Sequence, residues 1–146
     1  MIRPATLRQR LILASAVAFV LNFALQFIST RLLPAPWQLL TLHDNSFVSP
    51  VACVLVAISL CAGGWIGGRR FLPIGVALVL LLQVVSLLVL TQIAHGAMPR
   101  RDLSLILSSV LASNALGFGL QLLAAAIGAL AGASLSRRRP LFPLPP

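Results

Sequence analysis

Long runs without charge alternate along the chain with short stretches that hold nearly all of its charged side chains. Residues 11–29 form the first run, 19 residues with no charge. About 20 apolar residues in α-helix span the roughly 30 Å hydrocarbon core of a bilayer, so this run predicts a spanning helix. A second run covers 48–68 and a third 71–94. From 103 to 135 no charge occurs for 33 residues. As one helix that is about 50 Å at 1.5 Å per residue, longer than an upright crossing. The pattern therefore predicts a fourth span over 112–133, with 103–111 as an interfacial lead-in or part of a steep tilt. Gly117 and Gly119 would allow a kink there. The expected fold is all-α: a four-helix transmembrane bundle as a single domain over 1–136, followed by a basic, proline-rich cytoplasmic tail at 137–146.

The breaks between runs have their own chemistry. Residues 61–70 read CAGGWIGGRR. Gly64 and Gly68 make a GxxxG, and Gly63 and Gly67 a second one out of phase. Small residues four apart let helix backbones approach closely in lipid. Trp65 suits the membrane–water boundary. Arg69 and Arg70 are costly in hydrocarbon and mark where the chain emerges. Pro73 fits the first turn of a new helix. A very short basic turn between two spans follows. In the earlier break, Pro34 and Pro36 stop the first helix, and 37–42 suit a short turn lying in the interface. Asp44, Asn45 and Ser46 are the expected caps of the next helix, with Pro50 in its first turn, and Asp102 is the expected cap of the last.

Composition supports the membrane reading. The chain is 59% hydrophobic and 9% charged, against about 25% charged for a soluble domain. Net charge is +9, from eleven arginines and no lysine against Asp44 and Asp102. Such a balance can signal nucleic-acid binding, but the arginines sit at the ends of apolar runs, so no nucleic-acid partner is expected. Eight flank one side (Arg3, Arg8, Arg10, Arg69, Arg70 and 137–139) and three the other (Arg31, Arg100, Arg101). The positive-inside rule then puts both termini in the cytoplasm, and the all-arginine usage points to a bacterial inner membrane. A basic start before an apolar run also describes a signal peptide. This run is longer than a usual h-region, and its small-x-small site at Ala14 and Ala16 comes too early, so a retained helix is expected.

Three sets of residues carry the candidate interactions. The first is two faces of small residues: Cys53, Ala57, Cys61, Gly64 and Gly68 on the second helix, and Ser113, Gly117, Ala125, Gly128, Gly132 and Ser136 on the fourth, interrupted by Gln121. Their spacing of three and four predicts close packing, within one chain or across a dimer. Cys53 and Cys61 lie about 12 Å apart along a helix, too far for an internal disulfide, and read as small packing residues. The second set is Asn22, Ser59, Gln83 and Gln121, one polar side chain per helix near mid-depth. They form either a hydrogen-bonded clamp or the lining of a polar path, which Gln26, Ser29 and Asn114 would extend outward. The third is His43, Asp44, His95 and Asp102, all on the outer side. Two histidines with carboxylates can bind a metal or form an acid–base pair, but such residues in short loops are more often caps and solvated loop groups. No metal, cofactor or catalytic residue is expected.

No Asp, Glu, Lys, Arg or His falls inside a predicted span, which argues against proton-coupled transport. The leading expectation is a non-catalytic accessory or structural subunit, packed in the lipid bilayer against another membrane protein or a second copy. The basic ends would touch anionic lipids. A small passive transporter, channel or flippase component is the alternative, and a membrane enzyme using the outer His and Asp groups is the second alternative.

Overall fold

The computed structural model describes residues 6–42, 46–139 and 141. Helix α1, Leu7–Leu32, starts four residues before the apolar run. The Thr6 hydroxyl accepts from the Gln9 N–H at 3.3 Å, and Gln9 Oε1 accepts from the Thr6 N–H at 3.3 Å. This reciprocal capping box satisfies two N-terminal donors and fixes the start. The short helix α2, Ala35–Gln38, follows. Gln38 Nε2 donates to the Leu33 carbonyl at 2.5 Å, next to the end of α1.

The first loop departs from expectation. Strands β1, Leu40–Thr41, and β2, Phe47–Val48, pair antiparallel, with Leu40 opposite Val48 and Thr41 opposite Phe47. Two-residue strands leave almost no periodic signal in a sequence. The cap of the next helix also differs. Helix α3, Pro50–Gly67, is capped by Ser49, whose hydroxyl accepts from the Ala52 N–H at 3.2 Å. With Pro50 at the first helical position, the capping place falls on Ser49 and not on 44–46.

A 3-10 turn, Gly68–Arg70, leads into helix α4, Phe71–Ala97. The chain reverses there. Phe71 packs on Gly63 and Leu60 on Gly75, contacts that a straight helix would place too far apart. Gly68 has φ +67° and ψ −158°, a region that only glycine occupies readily. Helix α5, Leu103–Arg138, is a single unbroken helix of 36 residues. Asp102 caps it, accepting from the Ser104 N–H at 3.4 Å. The stretch 103–111 is helical and continuous with 112–133, and no proline interrupts the backbone.

Among the described residues, three helical stretches are long and apolar enough to cross a membrane: Leu7–Leu32, Pro50–Ala97 and Leu103–Arg138. Four separate spans were expected. The second and third runs are joined through the 3-10 turn, so they form one helical stretch of 48 residues. The chain is thus an all-α, multi-pass membrane protein by these measures.

The helices pack in the order α1, α3, α5, α4, with the side between α4 and α1 loosely closed. Ala18 lies beside Gly63 and Ala14 beside Gly67, so α1 and α3 are antiparallel. The core is built largely of small side chains: Ala14, Ala18, Ala125 and Ala129 surround Val56, Leu60, Phe71 and Val79. Large residues such as Val20, Phe27, Leu81, Ile93 and Ile127 point outward and are exposed. Small inside and large outside is the distribution expected when lipid is the surrounding solvent.

Candidate functional site

Three of the four mid-depth polar residues meet. Asn22 of α1, Gln83 of α4 and Gln121 of α5 line one half-open cavity of about 360 Å³. Helical spacing delivers the rest of the wall. Asn22 and Gln26 are four apart on α1, Ala52 and Val56 four apart on α3, and Val79, Gln83 and Ser86 share a face of α4. Phe23, Leu82 and Phe118 complete an otherwise apolar lining. The sequence reading underweighted Gln26 and Ser86. Their signal was the spacing of four from Asn22 and three from Gln83.

The amides are not equivalent. Gln83 is 7% exposed, and its Nε2 donates to the Phe118 carbonyl at 2.9 Å, tying α4 to α5. Asn22 is 8% exposed, and its Oδ1 is buried with no hydrogen-bond partner among the described residues. A buried acceptor left unpaired costs about 1–3 kcal/mol. Ser59 does not join the cavity wall. It is fully buried, and its hydroxyl donates to the Leu55 carbonyl at 2.7 Å within α3. Ser29 and Asn114 likewise bond within their own helices, to Gln26 and Val110, so neither extends a path.

The small-residue faces lie between α3 and α5. Gly128 sits against the Ala57 carbonyl, Gly132 against the Cys61 carbonyl and Gly64 against the Ala129 carbonyl. Positions on the two helices rise together, so α3 and α5 run parallel. Gly117 lies against the Phe47 carbonyl and seats the β1–β2 hairpin on α5. Gly68 is a turn residue, where an added Cβ would meet Ser136 Oγ at an ordinary 3.9 Å, and it does not belong to the tightly packed face. Cys53 and Cys61 are half-buried free thiols.

The chain matches no protein-family model, no curated protein and no solved structure.

Of the four His and Asp groups, the structure describes His95 and Asp102. His43 and Asp44 lie outside the described residues. Asp102 caps α5, and His95 Nδ1 is buried without a hydrogen-bond partner near the end of α4. Among the described residues no group of three or more His, Cys, Asp or Glu is placed to hold a metal ion. On the arginine-rich side, Arg69 and Arg137 flank a recess of about 90 Å³ floored by Leu130 and Ala133. Trp65 Nε1 donates to the Arg139 carbonyl at 2.8 Å, joining the end of α3 to the end of α5.

Within the cavity the chemistry is therefore that of neutral donors and acceptors. No lining residue is an acid or a base. Such a site can bind and orient an uncharged polar group, and offers no proton relay.

Proposed function

We propose that this is a four-crossing membrane protein with both termini on the cytoplasmic side, whose working part is the amide-lined cavity. It holds or passes an uncharged polar molecule at mid-depth without covalent chemistry, as a small passive transporter or flippase component. The observation that carries this reading is the convergence of Asn22, Gln83 and Gln121, from three helices, on one half-open space. The reversal at Gly68–Arg70, with Leu60 against Gly75, supports two crossings within Pro50–Ala97. The arginine distribution supports the orientation.

The accessory-subunit reading becomes second. It rests on the scarcity of reactive groups and the short loops, while the small-residue faces that could have met a partner contact each other inside the chain. What still favours it is the broad exposed apolar face of α4, with Leu80, Leu81, Val84 and Leu88, which a partner helix or lipid would cover equally well.

The test is transport by the purified chain in phosphatidylcholine vesicles. Glycerol entry and transbilayer movement of a fluorescent glucosylceramide should both be measured. At least one should accelerate, and Asn22→Leu with Gln83→Leu should abolish the gain while circular dichroism stays unchanged. Absence of any acceleration by the native chain would overturn the reading, and loss of helical structure in the double variant would make Gln83 a clamp first.

A further inference from the structure

We infer that the cavity binds an uncharged amphiphile with a hydroxyl head, taken sideways from the lipid between α1 and α4, with the hydroxyl donating to Asn22 Oδ1. This rests on the reading of the cavity as the working part and names its ligand class.

Four observations converge. First, the wall holds no ionisable side chain, and a charged head would lose its hydration there without a counter-charge. The ligand is therefore neutral. Second, Asn22 Oδ1 is a buried acceptor without a donor. The terminal torsion of an asparagine is soft, so the amide can turn its oxygen to a donor entering the cavity. Gln83 Nε2 already donates to Phe118, and among the described lining side chains Asn22 Oδ1 is the buried polar atom that lacks a partner. Third, Phe23, Val56, Val79, Leu82 and Phe118 offer an apolar wall for the first carbons behind the head. A purely polar solute would waste that surface.

Fourth, the opening faces lipid. Phe23 of α1 and Ser86 of α4 line the cavity yet are themselves exposed, so the mouth lies between these two helices. That is also the loosely packed side of the helix ring. At about 360 Å³ the space is near the lower end for ligand sites. It accommodates a head and a short length of chain, and a longer tail leaves through the mouth into the bilayer. Water could also donate to Asn22, but it would not use the apolar wall.

The experiment uses the full chain in phosphatidylcholine vesicles and a long-chain primary alcohol with a diazirine close to the hydroxyl. The control probe is its methyl ether, which accepts but cannot donate. After irradiation, labelled residues are mapped by mass spectrometry. The alcohol should label cavity residues on α1 and α4 roughly tenfold more than the ether, the scale of one hydrogen bond. Excess unlabelled dodecanol should displace it, and Asn22→Leu should lower it to the level of the ether. If that variant does not fold, the two probes on the native chain decide alone. Equal labelling by alcohol and ether, or labelling confined to lipid-facing positions, overturns the inference. Cavity labelling by the alcohol in a chain that moves neither glycerol nor glucosylceramide upholds the site and rejects transport. Accelerated transport with equal labelling does the reverse.

Discussion

Gly128 and Gly119 are both glycines in the same helix, yet they play opposite parts. At Gly128 an added methyl would run into the Ala57 carbonyl, a backbone atom that cannot swing aside, whereas at Gly119 nothing lies within 4 Å. Gly128→Ala should therefore destabilise the protein by about 1–3 kcal/mol, the usual range for overpacking. Gly119→Ala should be neutral or stabilising by up to about 1 kcal/mol, because alanine is the better helix former. Thermal melting in detergent, followed by circular dichroism, reads both. A matching gain at the two sites would mean that glycine matters only through helix propensity. The same residue-level contrast separates Gln83, which is satisfied by Phe118, from Asn22, which is not. Both are polar residues at similar depth in apolar helices, and their difference lies wholly in what the neighbouring helix presents.

At the scale of elements, local chemistry fixes most boundaries. Thr6 with Gln9, Ser49 with Pro50, and Asp102 each start a helix by satisfying N–H groups that have no partner within it. The end of α3 depends on conformation instead. Gly68 adopts φ +67° and ψ −158° to turn the chain into α4. Gly68→Ala should cost about 1–3 kcal/mol, the scale of holding a side-chain-bearing residue in that region. Its effect should appear as a lowered melting temperature, although the space around Gly68 is open. An unchanged melting temperature would show that the turn can be made with another backbone geometry. Helix α5 shows the limit of reading length from hydropathy. Its apolar run left open an interfacial lead-in or a steep tilt, and the helix is continuous over 36 residues, as full satisfaction of backbone hydrogen bonds in lipid favours.

For the whole molecule, orientation is set by charge and access by packing order. Eight arginines flank one side and three the other. A C-terminal green fluorescent protein fusion should fluoresce, and a phosphatase fused there should stay inactive, whereas a phosphatase inserted near Gly96 should be active. The reverse pattern would invert the molecule and place the Arg69–Arg137 recess outside. Packing order has a separate consequence. Because α1 rests on α3 and α4 on α5, the cavity has one weakly closed side, and that side faces lipid rather than water.

The hydrophobic pattern alone determined that the chain is helical, membrane-embedded by composition, reversed near Gly68–Arg70 and poor in reactive groups. These are properties of runs, and a run is visible in one dimension because the bilayer sets a required length of uncharged helix. It also marked Asn22, Gln83 and Gln121, since an amide within an apolar run stands out without any structure. The β1–β2 hairpin was not legible, being too short to leave a period. Nor could spacing show that Gly117 seats that hairpin, or that Ser59 turns to its own helix and stays out of the cavity wall. Those outcomes depend on how each helix is rotated against its neighbours. Only the tertiary structure fixes that rotation, because it arises from backbone-to-backbone contacts such as Gly128 on Ala57 and Gly132 on Cys61, between residues far apart in the chain.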